Sequence, residues 1–139
     1  MATITAGVLC DFAQVRAGML FVSSGGVTRR MVPHVPNRLG VMLAMMVEVT
    51  AGEQAQSHEL VVVVKRADTA EDVVRAVSAV KVQPTGTFPG ESVYVPAVAD
   101  LRQVPAPAYG PYDVAMSVDD TPGPHLTLYI VKPGERASR

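Results

Sequence analysis

Seven successive positions, 41–47 (VMLAMMV), carry apolar side chains, and positions 60–64 (LVVVV) repeat the pattern. A strand sends alternate residues to opposite faces, so such a run leaves no polar face for solvent. Neither run approaches the ~18–20 residues that a membrane-crossing helix needs. Four consecutive valines, Val61 to Val64, are stiff at χ1 and favour extended backbone over a helix. Both segments therefore read as strands covered on both sides. Val41, Leu43, Met45 and Val47 face one way and Met42, Ala44 and Met46 the other; Leu60, Val62 and Val64 oppose Val61 and Val63.

If these strands pair, Met42, Ala44, Met46, Val61 and Val63 form one apolar patch larger than a monomer ordinarily exposes. A second copy packed sheet to sheet covers it, and two-fold dimers are the commonest oligomers. A homodimer with those five residues at its interface is the expectation. The alternative is cover from within the chain, by a loop such as QPTGTFPGE at residues 83–91.

The remaining chain is divided at short intervals by 11 Pro and 11 Gly. Short apolar segments between turn residues read as an all-β fold, an antiparallel β-sandwich of about seven to nine strands in one domain spanning 1–139. DVAMSVDD places Val114, Met116 and Val118 on one face, and LTLYIVK places Leu126, Leu128 and Ile130 on one face. Residues 112–132 thus read as a hairpin, reversed in DDTPGPH by Pro122 and Gly123. GVLCDFAQV and GMLFVSSGG are two further strands with a reversal at 16–18, and the run Ser23 to Gly26 is a bend. PHVPNR is a loop, and SVYVPAV is a short strand that Pro96 assigns to a sheet edge. KPGERASR, from residue 132 on, is polar, and 133–139 read as a frayed tail.

One segment has two readings. DTAEDVVRAVSAVKV offers Thr69 followed by Asp72, a helix-capping pattern, with Val73, Val77 and Val80 at helical spacing. The alternation of Val74, Ala76, Ser78, Val80 and Val82 fits a strand instead, and valine is a modest helix former. The strand over 73–82 is the preferred reading.

LCDFAQVRAGMLFVSSGG, PNRLGVMLAMMVEV and VPAPAYGPYDVAMSVDD together resemble an uncharacterised family of small proteins from actinobacteria and related bacteria, over roughly residues 6–132. The resemblance implies an immunoglobulin-like β-sandwich and a strand at 72–82. It implies no activity and carries over no catalytic residue. Tyr112 also has a reading of its own: a Tyr just inside a late strand of a Greek-key sandwich bonds backbone near the preceding corner.

Charge and composition narrow the chemistry. Lys and Arg number 12 against 13 Asp and Glu, with no Trp, so the chain lacks the basic, aromatic surface of a nucleic-acid groove. MATITAGVLCDFAQV has neither a basic start nor a long apolar run, so no cleaved secretory signal is expected. Cys10 is the only cysteine; no internal disulfide can form, which fits the cytoplasm. Beside Asp11 in an apolar strand it reads as a small core hydrophobe whose thiol pKa is raised, not as a nucleophile. His34, His58 and His125 lack paired ligand spacing and read as surface or turn residues. Asp119 and Asp120 offer too few oxygens for calcium and read as a solvated turn.

No metal, cofactor or catalytic residue is therefore assigned. The expectation is a non-catalytic sandwich working by protein binding or self-assembly, with no nucleic-acid or membrane partner. The alternative is a small-molecule-binding or hydrolytic protein whose loop-built site uses Arg29, Arg30, His34 and Arg38, near Asn37, to hold an anion.

Overall fold

The computed structural model describes residues 1–82 and 88–134. Two sheets face each other across one apolar layer. The first has the order β2 (Met19–Gly25), β1 (Ala2–Arg16), β5 (Met42–Val49), β8 (Val93–Asp100). The second has the order β3 (Arg29–Met31), β11 (Thr121–Val131), β10 (Gly110–Val118), β6 (Ser57–Arg66), β7 (Asp72–Lys81). A two-residue ladder between β4 (Asn37–Arg38) and β9 (Pro105–Ala106) ties two loops together. The two principal sheets thus hold nine strands, within the expected range. Their pairing is antiparallel except between β3 and β11, which run parallel.

The core follows the period of two. Leu43, Met45, Val47 and Val49 of β5 meet Leu60, Val62 and Val64 of β6 and Tyr112, Val114, Met116 and Val118 of β10. In β1 the register shifts between Ile4 and Ala6. The inward positions accordingly change from Ala2 and Ile4 to Leu9. β1 and β11 approach closely where Gly7 and Gly123 stand. A Cβ on Gly7 would lie 2.7 Å from Met116 Sδ, and one on Gly123 would lie 2.9 Å from Ile4 Cβ. Tyr112 is buried, and its hydroxyl accepts from the Ala108 N–H at 3.1 Å and donates to the Ala108 carbonyl at 2.7 Å. This is the corner bond read from the sequence.

The ambiguous segment is a strand. β7 pairs with β6 from Ser57 opposite Lys81 to Val64 opposite Val74. Its outward residues Arg75, Val77 and Ala79 are exposed, while Val80 is buried and Val73 and Val74 pack against the core. Pro96 lies in an edge strand, β8, as expected.

Two expectations are corrected. The β10–β11 hairpin reverses at Asp119 and Asp120, with φ of 48° and 63°, and not at Pro122 and Gly123, which lie within β11. Paired left-handed residues match the twist of a two-residue hairpin, and Asp tolerates that conformation better than most residues. Second, β5 and β6 do not pair. They lie in different sheets, so Met42, Ala44 and Met46 and the residues Val61 and Val63 are on opposite outer faces. No contiguous patch joins them. Met42 and Ala44 are buried beside Cys10, Ala13, Val8, Leu20 and Val98, side chains of flanking strands in the same sheet. Val61 is buried, while Met46 and Val63 are half-buried. Residues 83–87 of the proposed covering loop, and 135–139 of the expected frayed tail, lie outside the described residues.

Candidate functional site

β1 stops pairing with β5 at Cys10 but continues to Arg16, paired only with β2. The result is a two-stranded arm that extends past the sheet. Its tip, Ala17 and Gly18, is left-handed at both positions (φ 50° and 72°), the same two-residue reversal as at Asp119 and Asp120. Phe12, Val15, Met19, Phe21 and Val22 are exposed along the arm, from 41% at Val22 to 59% at Met19. Phe12, Phe21 and Val22 line a shallow depression of 260 Å³ with Gln14 and Ser23. Within 11–25 only Asp11 and Arg16 carry charge. β2 also closes its sheet, so its outer backbone groups have no strand partner among the described residues.

A clamp holds the base of this arm. Arg102 donates from Nε to Asp100 Oδ1 at 2.9 Å and from Nη2 to Asp100 Oδ2 at 2.8 Å. Its guanidinium stands 5.7 Å from the centre of the Phe12 ring. The Arg102 hydrogen bonds hold the Asp100 carboxyl below its usual range. Cys10 beside the clamp is buried, with its thiol 3.5 Å from the Met42 carbonyl. Burial first, and then the Asp11 carboxylate, push that thiol up, which removes the thiolate a nucleophile needs.

At the opposite end stands a polar pair that the sequence reading missed. His58, expected at the surface, is 1% exposed. Its Nδ1 lies 2.5 Å from Asp119 Oδ2 and its Nε2 lies 2.8 Å from the Glu53 carbonyl. The other Asp119 oxygen accepts from the Glu59 N–H at 2.9 Å. The hydrogen bond to Asp119 raises the His58 pKa against the opposing effect of burial, with help from the Glu53 carbonyl. The same bond lowers the Asp119 pKa. A carbonyl only accepts, so Nε2 must carry its proton and has no lone pair with which to take another. In a nucleophilic triad that nitrogen would face the nucleophile. Here the pair pins the β10–β11 turn to β6 and to the short 3-10 turn Ala51–Glu53. The signal was present: His58 shares the parity of Leu60, Val62 and Val64, all of them inward.

The basic loop is dispersed. Arg29 is exposed opposite Tyr129, and Arg30 is half-buried with its guanidinium against Gly40. Arg38 donates to Gln103 Oε1 at 2.6 Å, and the exposed His34 contributes only its carbonyl, which accepts from Asn37. No hydrogen bond or ion pair joins the side chains of Arg29, Arg30, His34 and Arg38 among the described residues. Also among the described residues, no three His, Cys, Asp or Glu side chains gather where they could hold a metal ion, and no helix is long and apolar enough to cross a membrane.

A family model, described as a family of unknown function (DUF6941), matches residues 5–131. No curated protein matches the chain. The chain belongs to the DUF6941 family.

Proposed function

We propose that this member of the DUF6941 family is a non-catalytic binding protein whose working surface is the β1–β2 arm. The observation that carries the reading is the arm itself. Five of its large apolar side chains are exposed on a ribbon that ends in a free strand edge. A two-stranded ribbon is marginal alone in water, and these residues gain little from the sandwich core. With one acid and one base between 11 and 25, the arm lacks the cations that a membrane surface or a nucleic acid would require. The partner is thus another protein, one that offers an apolar surface and a strand to lie beside β2. The setting is taken as an actinobacterial cytoplasm, on the resemblance of the opening segment and on the lone, buried Cys10.

Phe21→Glu should leave the far-UV spectrum and melting temperature close to wild type, because Phe21 is exposed. It should abolish stoichiometric capture of a partner by the full chain. Capture that withstands both Phe21→Glu and Met19→Glu would contradict the reading.

A second reading, an anion-binding loop at Arg29, Arg30, His34 and Arg38, has one observation in its favour. Arg30 Nε is buried with no hydrogen-bond partner among the described residues. Phosphate titration should then move amide resonances in 28–38, with an affinity that falls steeply with salt. Resonances that all stay in place would remove it.

A further inference from the structure

We infer that the free edge of β7 is a self-association edge, on which a second copy of this chain adds its own β7 antiparallel across a two-fold axis near Val77. β7 is a ten-residue strand that closes the second sheet, and no strand pairs with its outer side among the described residues. Natural sheets protect such edges. Two of the other edges are protected: β3 is three residues long and β8 contains Pro96. β7 has no Pro, no Gly and no left-handed residue. From Val74 to Lys81 its register against β6 is unbroken. Val77, at its centre, is 56% exposed. An edge of this length and composition templates another strand.

Charge selects a second copy as the occupant. Glu71 and Asp72 stand at the start of the strand and Lys81 at its end. A two-fold antiparallel pair sets each start beside the other copy's end, so acid meets base at both ends. With Val77 on the axis, each Val77 meets its own copy. Arg75 then falls opposite Ala79 of the other chain. Ala79 is small, and the residue opposite it on β6 is Glu59. The Arg75 side chain therefore reaches over Ala79 toward a carboxylate. Lys65, 3.7 Å from Asp72, balances the remaining acid within its own chain. The product is a continuous sheet built from five strands of each copy. This edge is independent of the arm, which lies in the other sheet.

Sedimentation of the full chain tests the inference. The wild type should run at twice the chain mass of 14.7 kDa. Val77→Lys should run at the single-chain mass, and Phe21→Glu should remain dimeric. Val77→Cys supplies a conservative check. Cys10 is buried, so the new thiol is the one open to oxidation. Opposed strand residues lie within disulfide reach of each other. Oxidised Val77→Cys should therefore become a covalent dimer. A wild type that stays monomeric up to its solubility limit would overturn the inference. So would a dimer that survives Val77→Lys, or a Val77→Cys chain that resists cross-linking.

Discussion

Asp119→Ala should lower unfolding free energy by about 2–3 kcal/mol, the largest effect expected from an exposed turn residue in this chain. The change strips the partner from His58 Nδ1 in the interior and the acceptor from the Glu59 N–H. It also leaves alanine at φ 48°. Losing one partner of a fully buried pair costs ~3–5 kcal/mol, but Asp119 is itself 41% exposed, so solvent offsets part of the loss. Asp119→Asn separates charge from shape, because it keeps an acceptor and tolerates the left-handed backbone. The signature is its pH dependence. His58 is raised in the folded state, so its contribution is complete below the ordinary histidine value of 6.5 and is lost as pH rises through the folded value. Asp119 is lowered, so its contribution is complete above 3.8 and is lost as pH falls through the folded value. Stability from the pair should therefore be flat between those limits and fall on either side. Urea unfolding at several pH values reads this directly. Asp119→Asn should flatten the profile; a profile unchanged by Asp119→Asn would show that the pair carries no differential charge.

Tyr112→Ala should cost about 3–5 kcal/mol, as for other large aromatic truncations in a packed core. Tyr112→Phe should cost about 1–3 kcal/mol, because it leaves the Ala108 N–H and carbonyl without their shared partner. The gap between the two variants separates the ring, which packs against β5 and β6, from the corner bond. Calorimetric melting of both checks the ordering. A Tyr112→Phe protein as stable as wild type would mean that water replaces the hydroxyl at the corner.

The parts of the fold legible in the sequence are those set by neighbours along the chain. The alternation of Val114, Met116 and Val118 set the inward face of β10. The run of β-branched residues marked β6 as a strand. Pro96 marked an edge. Which sheet each doubly apolar strand joins depends on contacts across most of the chain, and no local period encodes it. Hence β5 and β6 were set side by side in the expectation and stand in facing sheets in the protein. The second face of β5 is covered by the row Val8, Ala44 and Val98 and by Cys10 beside Met42. Side chains of flanking strands thus pack around Met42 and Ala44 on that face. His58 was missed because it was weighed as a metal ligand and not for its parity with Leu60. Asp119 reads from the sequence as a solvated turn residue, and its bond to His58 depends on a contact 61 residues apart that no local pattern encodes. The arm was missed because the two strands forming it were recognised, but not that β1 outruns β5.

The central claim is that this chain works through free strand edges, one reserved for itself and one for a different protein, and not through a loop-built site. Amide hydrogen exchange of the isolated protein at low and high concentration tests it most directly. The account predicts that the β7 amides between Val74 and Val80 that point away from β6 slow as concentration rises, while the β2 amides that point away from β1 stay fast and those of 28–38 do not change. Slowing confined to 28–38, or none anywhere along β7, would contradict it.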